Sequence, residues 1–172
     1  MRRAAILLAL GAAPALAQSD ELLECPSAQI TPAFRDKIAD AMLGPESAES
    51  DALFVHLAGV TEGCAARHGL AGDKGEAYFT YALGRLPHDA LIGRLGKAGI
   101  SAAVLDDALD FGPGRSNPVI SGDLDPAQLG KLVAALAANG VNLEQVSAAS
   151  WELVGVYAAA TSLMWQAHAQ LR

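Results

Sequence analysis

Apolar residues recur at three- and four-residue intervals along most of the chain, the period of helices with one buried side. The pattern is densest from Asn142 to Arg172, where Glu152 is the only formal charge between Gln145 and His168. No proline interrupts this stretch, and its Ala, Leu, Met and Gln content favours helix. The spacing predicts one helix over 143–171, capped by Asn142. Val146, Leu153, Tyr157 and Met164 lie along one of its faces, and Trp151, Val154, Ala158 and Trp165 along another. A helix apolar around most of its circumference belongs in a bundle core or in a membrane. Ser147, Ser150, Glu152, Thr161, Ser162 and Gln166 break the run, and Arg172 alone flanks it with positive charge. A span needs about 20 mainly apolar residues with anchors at both interfaces. The expectation is therefore a core helix, with Gly155, Ala159 and Ser162 as a small-residue strip that a neighbouring helix can approach.

Helix signals precede it in order. Thr31-Pro32 is a cap followed by the residue favoured at the first helical position, and Phe34, Ile38 and Met42 form its stripe up to Gly44-Pro45. A second helix runs from Glu46 to His68, with acids early, Arg67 and His68 late, and Gly69 as its stop. Asp73 opens a third, ending near Pro87, and residues 87–98 form a fourth. Leu91, Leu95, Gly99, Ile100 and Ser101 then match Leu132, Leu136, Gly140, Val141 and Asn142 at a constant offset of 41. Each set reads as a helix end, a left-handed glycine, an apolar residue folding back and a new cap. Two αα-hairpins follow from this, 87–98 with 102–110 and 126–139 with 143–171. The fold expected is an all-α, single-domain bundle of about six or seven helices around a long, largely buried C-terminal helix. It occupies 31–172, after an irregular segment over 18–30.

Residues 1–17 carry a different pattern. Arg2 and Arg3, an apolar run from Ile6, and Ala15-Leu16-Ala17 fit a secretory signal peptide cleaved before Gln18. Removing 17 of 172 residues leaves 155, enough for one domain with a real core, and moves the net charge from −7 to −9. The place expected is the periplasm or the outside of the cell, with no transmembrane anchor after cleavage. The acidic balance disfavours nucleic acid and anionic lipid as partners.

Export changes how the cysteines are read. The mature chain has two, Cys25 and Cys64, and an even count in an oxidising compartment predicts a disulfide. The rival reading is a reactive Cys64 thiol with His68 one helical turn away and Arg67 lowering its pKa.

Two local resemblances bear on function. Residues 95–104 resemble the turn of a helix-turn-helix motif, but the recognition helix would present Asp106, Asp107 and Asp110, which repel phosphate. Asp106-Asp107-x-x-Asp110 is similar to the magnesium-binding signature of isoprenoid synthases, enzymes about twice this size with a second acidic motif. Those three carboxylates are candidate metal ligands, with Asp123 and Asp125 able to approach through the loop 111–125. Arg115, in that loop, is a candidate ligand contact. His56, His68, His88 and His168 have no metal-site spacing, and Met164 with His168 offers at most a noncovalent haem pair. No P-loop, dinucleotide fingerprint or nucleophile elbow occurs, and no cofactor is expected. The leading expectation is a non-catalytic envelope protein acting through an unknown partner or through self-association. A small-ligand or divalent-metal bundle is the alternative, and a hydrolase of unrecognised type the third.

Overall fold

The computed structural model describes residues 15–120 and 124–172. Within them lie α1 (Ala15–Gln29), α2 (Pro32–Leu43), α3 (Ala48–Arg67), α4 (Asp73–Lys97), α5 (Ala102–Leu109), α6 (Pro126–Ala138) and α7 (Ala148–Leu171). A short 3-10 turn, Leu143–Gln145, precedes α7, and no strand occurs among the described residues. The predicted signal segment lies mostly outside these residues, and its cleavage point before Gln18 falls at the start of α1.

The core is built on α4 against α7, the most extensive helix pair in the molecule. Leu153, Val154, Tyr157, Ala158, Ala160, Thr161, Ser162, Met164 and Ala167 are buried along α7. Tyr78, Tyr81, Ala82, Leu86, Leu91 and Leu95 are buried along α4. The two backbones come closest at Gly84, where a Cβ would press on the Ala160 carbonyl oxygen and lie 2.8 Å from Met164 N. The expected small-residue strip is therefore displaced. A Cβ on Gly155 would meet open space, and Ser162 is covered by the loop segment 118–120.

Local signals set most helix ends. Thr31, Ser47, Asp125 and Ser147 accept hydrogen bonds from backbone N–H groups of the first turns of α2, α3, α6 and α7. The repeated corner is present: Ile100 N–H donates to Leu95 O, and Val141 N–H to Leu136 O, behind Gly99 and Gly140 at positive φ. It occurs twice more, with Leu70 N–H on Ala65 O and Phe111 N–H on Asp106 O. At the last of these the left-handed residue is Asp110, φ 59°, and not a glycine.

Four expectations are corrected. The segment 18–30 is not irregular, because helix α1 runs through it to Gln29. Its Leu22 and Leu23 pack on Tyr78 and Tyr81, and Tyr78 Oη donates to Leu22 O at 2.5 Å. Pro87 does not end a helix: α4 continues through it to Lys97. A proline inside a helix costs about 3 kcal/mol, and burial of α4 on both sides of Pro87 offsets it. The C-terminal helix starts at Ala148, capped by Ser147, while Asn142 caps the 3-10 turn. At 24 residues it is about 36 Å long. Finally, the hairpins do not pair as expected, since α5 packs chiefly on α6. The corner geometry sets how each chain turns, and burial of Leu105, Leu109, Leu132 and Leu136 in one cluster sets which helices meet.

Candidate functional site

The candidate acids sit where α5 ends. Helix periodicity puts Asp106 on the side facing α7, and Tyr157 Oη donates to Asp106 Oδ1 at 2.8 Å. Burial pushes the Asp106 carboxyl above its ordinary value, and the Tyr157 hydrogen bond opposes that shift. Burial and the neighbouring Asp106 carboxylate both raise Tyr157, which stays a protonated donor. Asp107 points away into solvent and pairs with Arg115 Nη2 at 2.5 Å. Asp110 accepts Ser116 N–H at 3.0 Å, and hydrogen bonding from Ser116 holds its carboxyl below the usual range. The three side chains thus have three different partners. No group of three or more His, Cys, Asp or Glu among the described residues is placed to hold a metal ion. Asp125 caps α6, and Asp123 lies outside the described residues.

Arg115 is exposed but held against the end of α5. Its guanidinium reaches Asp107 and the Asp106 carbonyl, which fastens the loop to the end of α5. Asn117 is the hub of that loop. Its Nδ2 donates to Gly112 O at 2.9 Å and Arg115 O at 3.1 Å, and its Oδ1 accepts Gly112 N–H at 2.8 Å. Its backbone carbonyl accepts from Gln166 Nε2 of α7. Ser162 Oγ then accepts Ile120 N–H and donates to Pro118 O, both at 2.9 Å. The segment 111–120 is a strap hydrogen-bonded across α7.

Behind Asp106, His88 of α4 stacks tilted on Tyr157, ring centroids 5.2 Å apart. Its Nε2 is buried without a hydrogen-bond partner among the described residues. Burial lowers the imidazole pKa and Arg85 adds to this, while Asp106 and Asp89 act in the opposite direction.

The cysteines form the predicted disulfide, Cys25–Cys64, between α1 and α3, with Cα atoms 6.0 Å apart. No Cys64 thiol is present to pair with His68, which instead caps the end of α3. Gln29 Nε2 donates to Cys64 Sγ at 2.8 Å, and Arg67 Nη2 to Cys25 Sγ at 3.2 Å. Met164 and His168 share a cleft with Tyr81, Arg85 and Trp165. At about 190 Å³ it is below the roughly 300–1,000 Å³ of sites for drug-sized ligands, so it takes one ring and not a porphyrin.

Sequence reasoning found the acids, Arg115 and the cysteines. It missed Tyr157, His88, Asn117 and Gln166 as members of one polar network. The available signal was the polar residues that interrupt α7: Ser162 and Gln166 are where the strap attaches. No protein-family model, no curated protein and no solved structure matches the chain.

Proposed function

We propose that this is an exported, non-catalytic helical protein of the cell envelope that acts by binding another protein or a second copy of itself. One observation carries the reading. The acids and cysteines that stand out in the sequence are engaged in internal contacts: Asp106 with Tyr157, Asp107 with Arg115, Asp110 with Ser116 and Cys25 with Cys64. Export rests on the N-terminal pattern and fits the disulfide. No helix among the described residues is long and apolar enough to cross a membrane.

The surface that suits a partner lies along α3 and α4, where Ala58, Ala65, Ala66, Leu70 and Phe79 line an open groove of about 590 Å³. Val55, on α3, is 72% exposed. A photo-crosslinking residue in place of Val55, used in the native envelope, tests the reading, with exposed Glu152 as the control position. The expected result is an adduct of discrete mass from position 55 and none from 152. A monomer in solution together with no adduct from position 55 contradicts it.

The metal-binding alternative would need Asp106, Asp107 and Asp110 to leave their separate partners, and so is the weaker reading. The small-ligand alternative keeps a different place in the fold, the cleft between α4 and α7.

A further inference from the structure

We infer that the cleft between the middle of α4 and the last turns of α7 binds a small, single-ring aromatic carboxylate, its ring among Tyr81, Trp165 and His168 and its carboxylate on Arg85. This site is independent of the partner-binding reading.

The sequence builds the cleft from two helix repeats. Tyr81 and Arg85 are one turn apart on α4, and Trp165 and His168 one turn apart on α7, so each pair shares a face. Packing of α4 on α7 turns the two faces toward each other, and Met164 completes the lining. Trp165 and His168 stand edge-on with centroids 5.4 Å apart, and Tyr81 lies 6.1 Å from His168 at a tilt of 37°. These are distances at which aromatic rings attract, and a further ring seated in the cleft against them gains contacts of the same kind. Met164 adds a polarizable thioether, which packs well against ring edges. The volume, about 190 Å³, suits one ring, since a cavity of roughly 150 Å³ already accepts benzene.

Arg85 supplies the polar end. Its one ion pair among the described residues is with Asp89, at 3.4 Å, the outer limit for a hydrogen bond, with side chains 29% and 61% exposed. Such an exposed pair within one helix is weak, so the planar fork of N–H donors, which also reaches the Tyr81 hydroxyl, keeps donors for a carboxylate. Burial raises the Tyr81 pKa, Arg85 opposes this through its charge and its hydrogen bond to the hydroxyl, and Glu24 of α1 adds a smaller upward push. Burial and Arg172 lower the His168 pKa, which leaves a neutral imidazole that keeps both a donor and an acceptor. Ring stacking and a guanidinium fork converge here, and neither an aliphatic acid nor an uncharged ring uses both.

The two tryptophans make the test internal. Trp165 lines the cleft, while Trp151 packs at the other end of α7. The full-length mature chain is labelled with 5-fluorotryptophan and titrated with benzoate, followed by fluorine NMR, with Trp151→Phe assigning the two signals. The expected result is a saturable shift of the Trp165 signal and a stationary Trp151 signal. Acetate and benzyl alcohol, at the same concentrations, leave both in place. Arg85→Met removes the benzoate shift, and Arg85→Lys weakens it several-fold, while an unmoved Trp151 signal reports that the bundle is intact. The inference is overturned if benzoate gives no saturable shift, or if both signals move together. It is equally overturned if acetate or benzyl alcohol matches benzoate, or if Arg85→Met binds as well as the native chain.

Discussion

Asn117 joins the strap to itself and, through its backbone carbonyl, to α7. It sits at positive φ, 47°, a region that asparagine tolerates better than most residues. Asn117→Ala removes three side-chain hydrogen bonds and keeps the backbone requirement, so a loss of about 2–3 kcal/mol is expected in urea unfolding. A loss below about 0.5 kcal/mol, within the range of ordinary surface changes, contradicts the hub role. At the same scale, His88 predicts the pH response. Its folded pKa lies below the ordinary 6.5, so the unfolded chain takes up this proton first as pH falls. The associated stability is complete above about pH 6.5 and is lost below it until the folded imidazole also protonates. His168 acts with the same sign. Asp106 acts with the opposite sign, because its raised pKa lets the folded state take up the proton first, at a pH above 3.8. The variant His88→Phe keeps a ring against Tyr157 and removes the unpartnered nitrogen. It is expected to lose less stability than the native chain between about pH 7 and pH 5.5, measured as urea midpoints; parallel profiles contradict the assignment. Of this network the sequence singled out the acids and Arg115, and not the partners that hold them. The partners are 51 residues apart in the chain for Asp106 and Tyr157, and no local period links them.

Helices α4 and α7 carry the next level. Gly84 and Gly93 both lie within α4, but a Cβ on Gly84 meets the α7 backbone while one on Gly93 meets nothing. Gly84→Ala is expected to destabilise by about 1–3 kcal/mol, as overpacked cores do. Gly93→Ala is expected to stabilise by about 0.5–1 kcal/mol through helix propensity and a less flexible unfolded chain. Thermal or urea unfolding of the two variants checks the pair, and equal effects sink the claim that Gly84 is the crossing point. Such a difference is not legible in the sequence, where the two glycines have similar neighbours; only the other helix distinguishes them. What is legible is the punctuation. Thr31 and Asp125 cap because their side chains bond locally, and Gly99 and Gly140 turn the chain because the corner is closed within six residues. Pro87 marks the limit of that local reading, since its cost is set locally and its tolerance by packing along the whole of α4.

As a whole the molecule is a bundle assembled on α7 and closed by two fastenings, the strap on one side and the disulfide-linked α1 on the other. The disulfide closes a loop of 39 residues, which in the chain-entropy model contributes about 4 kcal/mol. Replacing both cysteines by serine is therefore expected to lower the unfolding free energy by about that amount. A change under about 1 kcal/mol means that α1 docks through Leu22, Leu23 and Tyr78 without needing the link. The all-helical class and the buried C-terminal helix were readable because the low charge of α7 leaves it no stable place on a water-facing surface. Which helices meet, and which polar groups they enclose, depended on long-range packing. The most direct measurement of the central claim is amide hydrogen exchange along α7 in buffer without detergent. Enclosure by α4 and the strap predicts that the amides from Val154 to Met164 are among the slowest in the protein. Rapid exchange there, or a requirement for detergent before the chain disperses, contradicts the bundle.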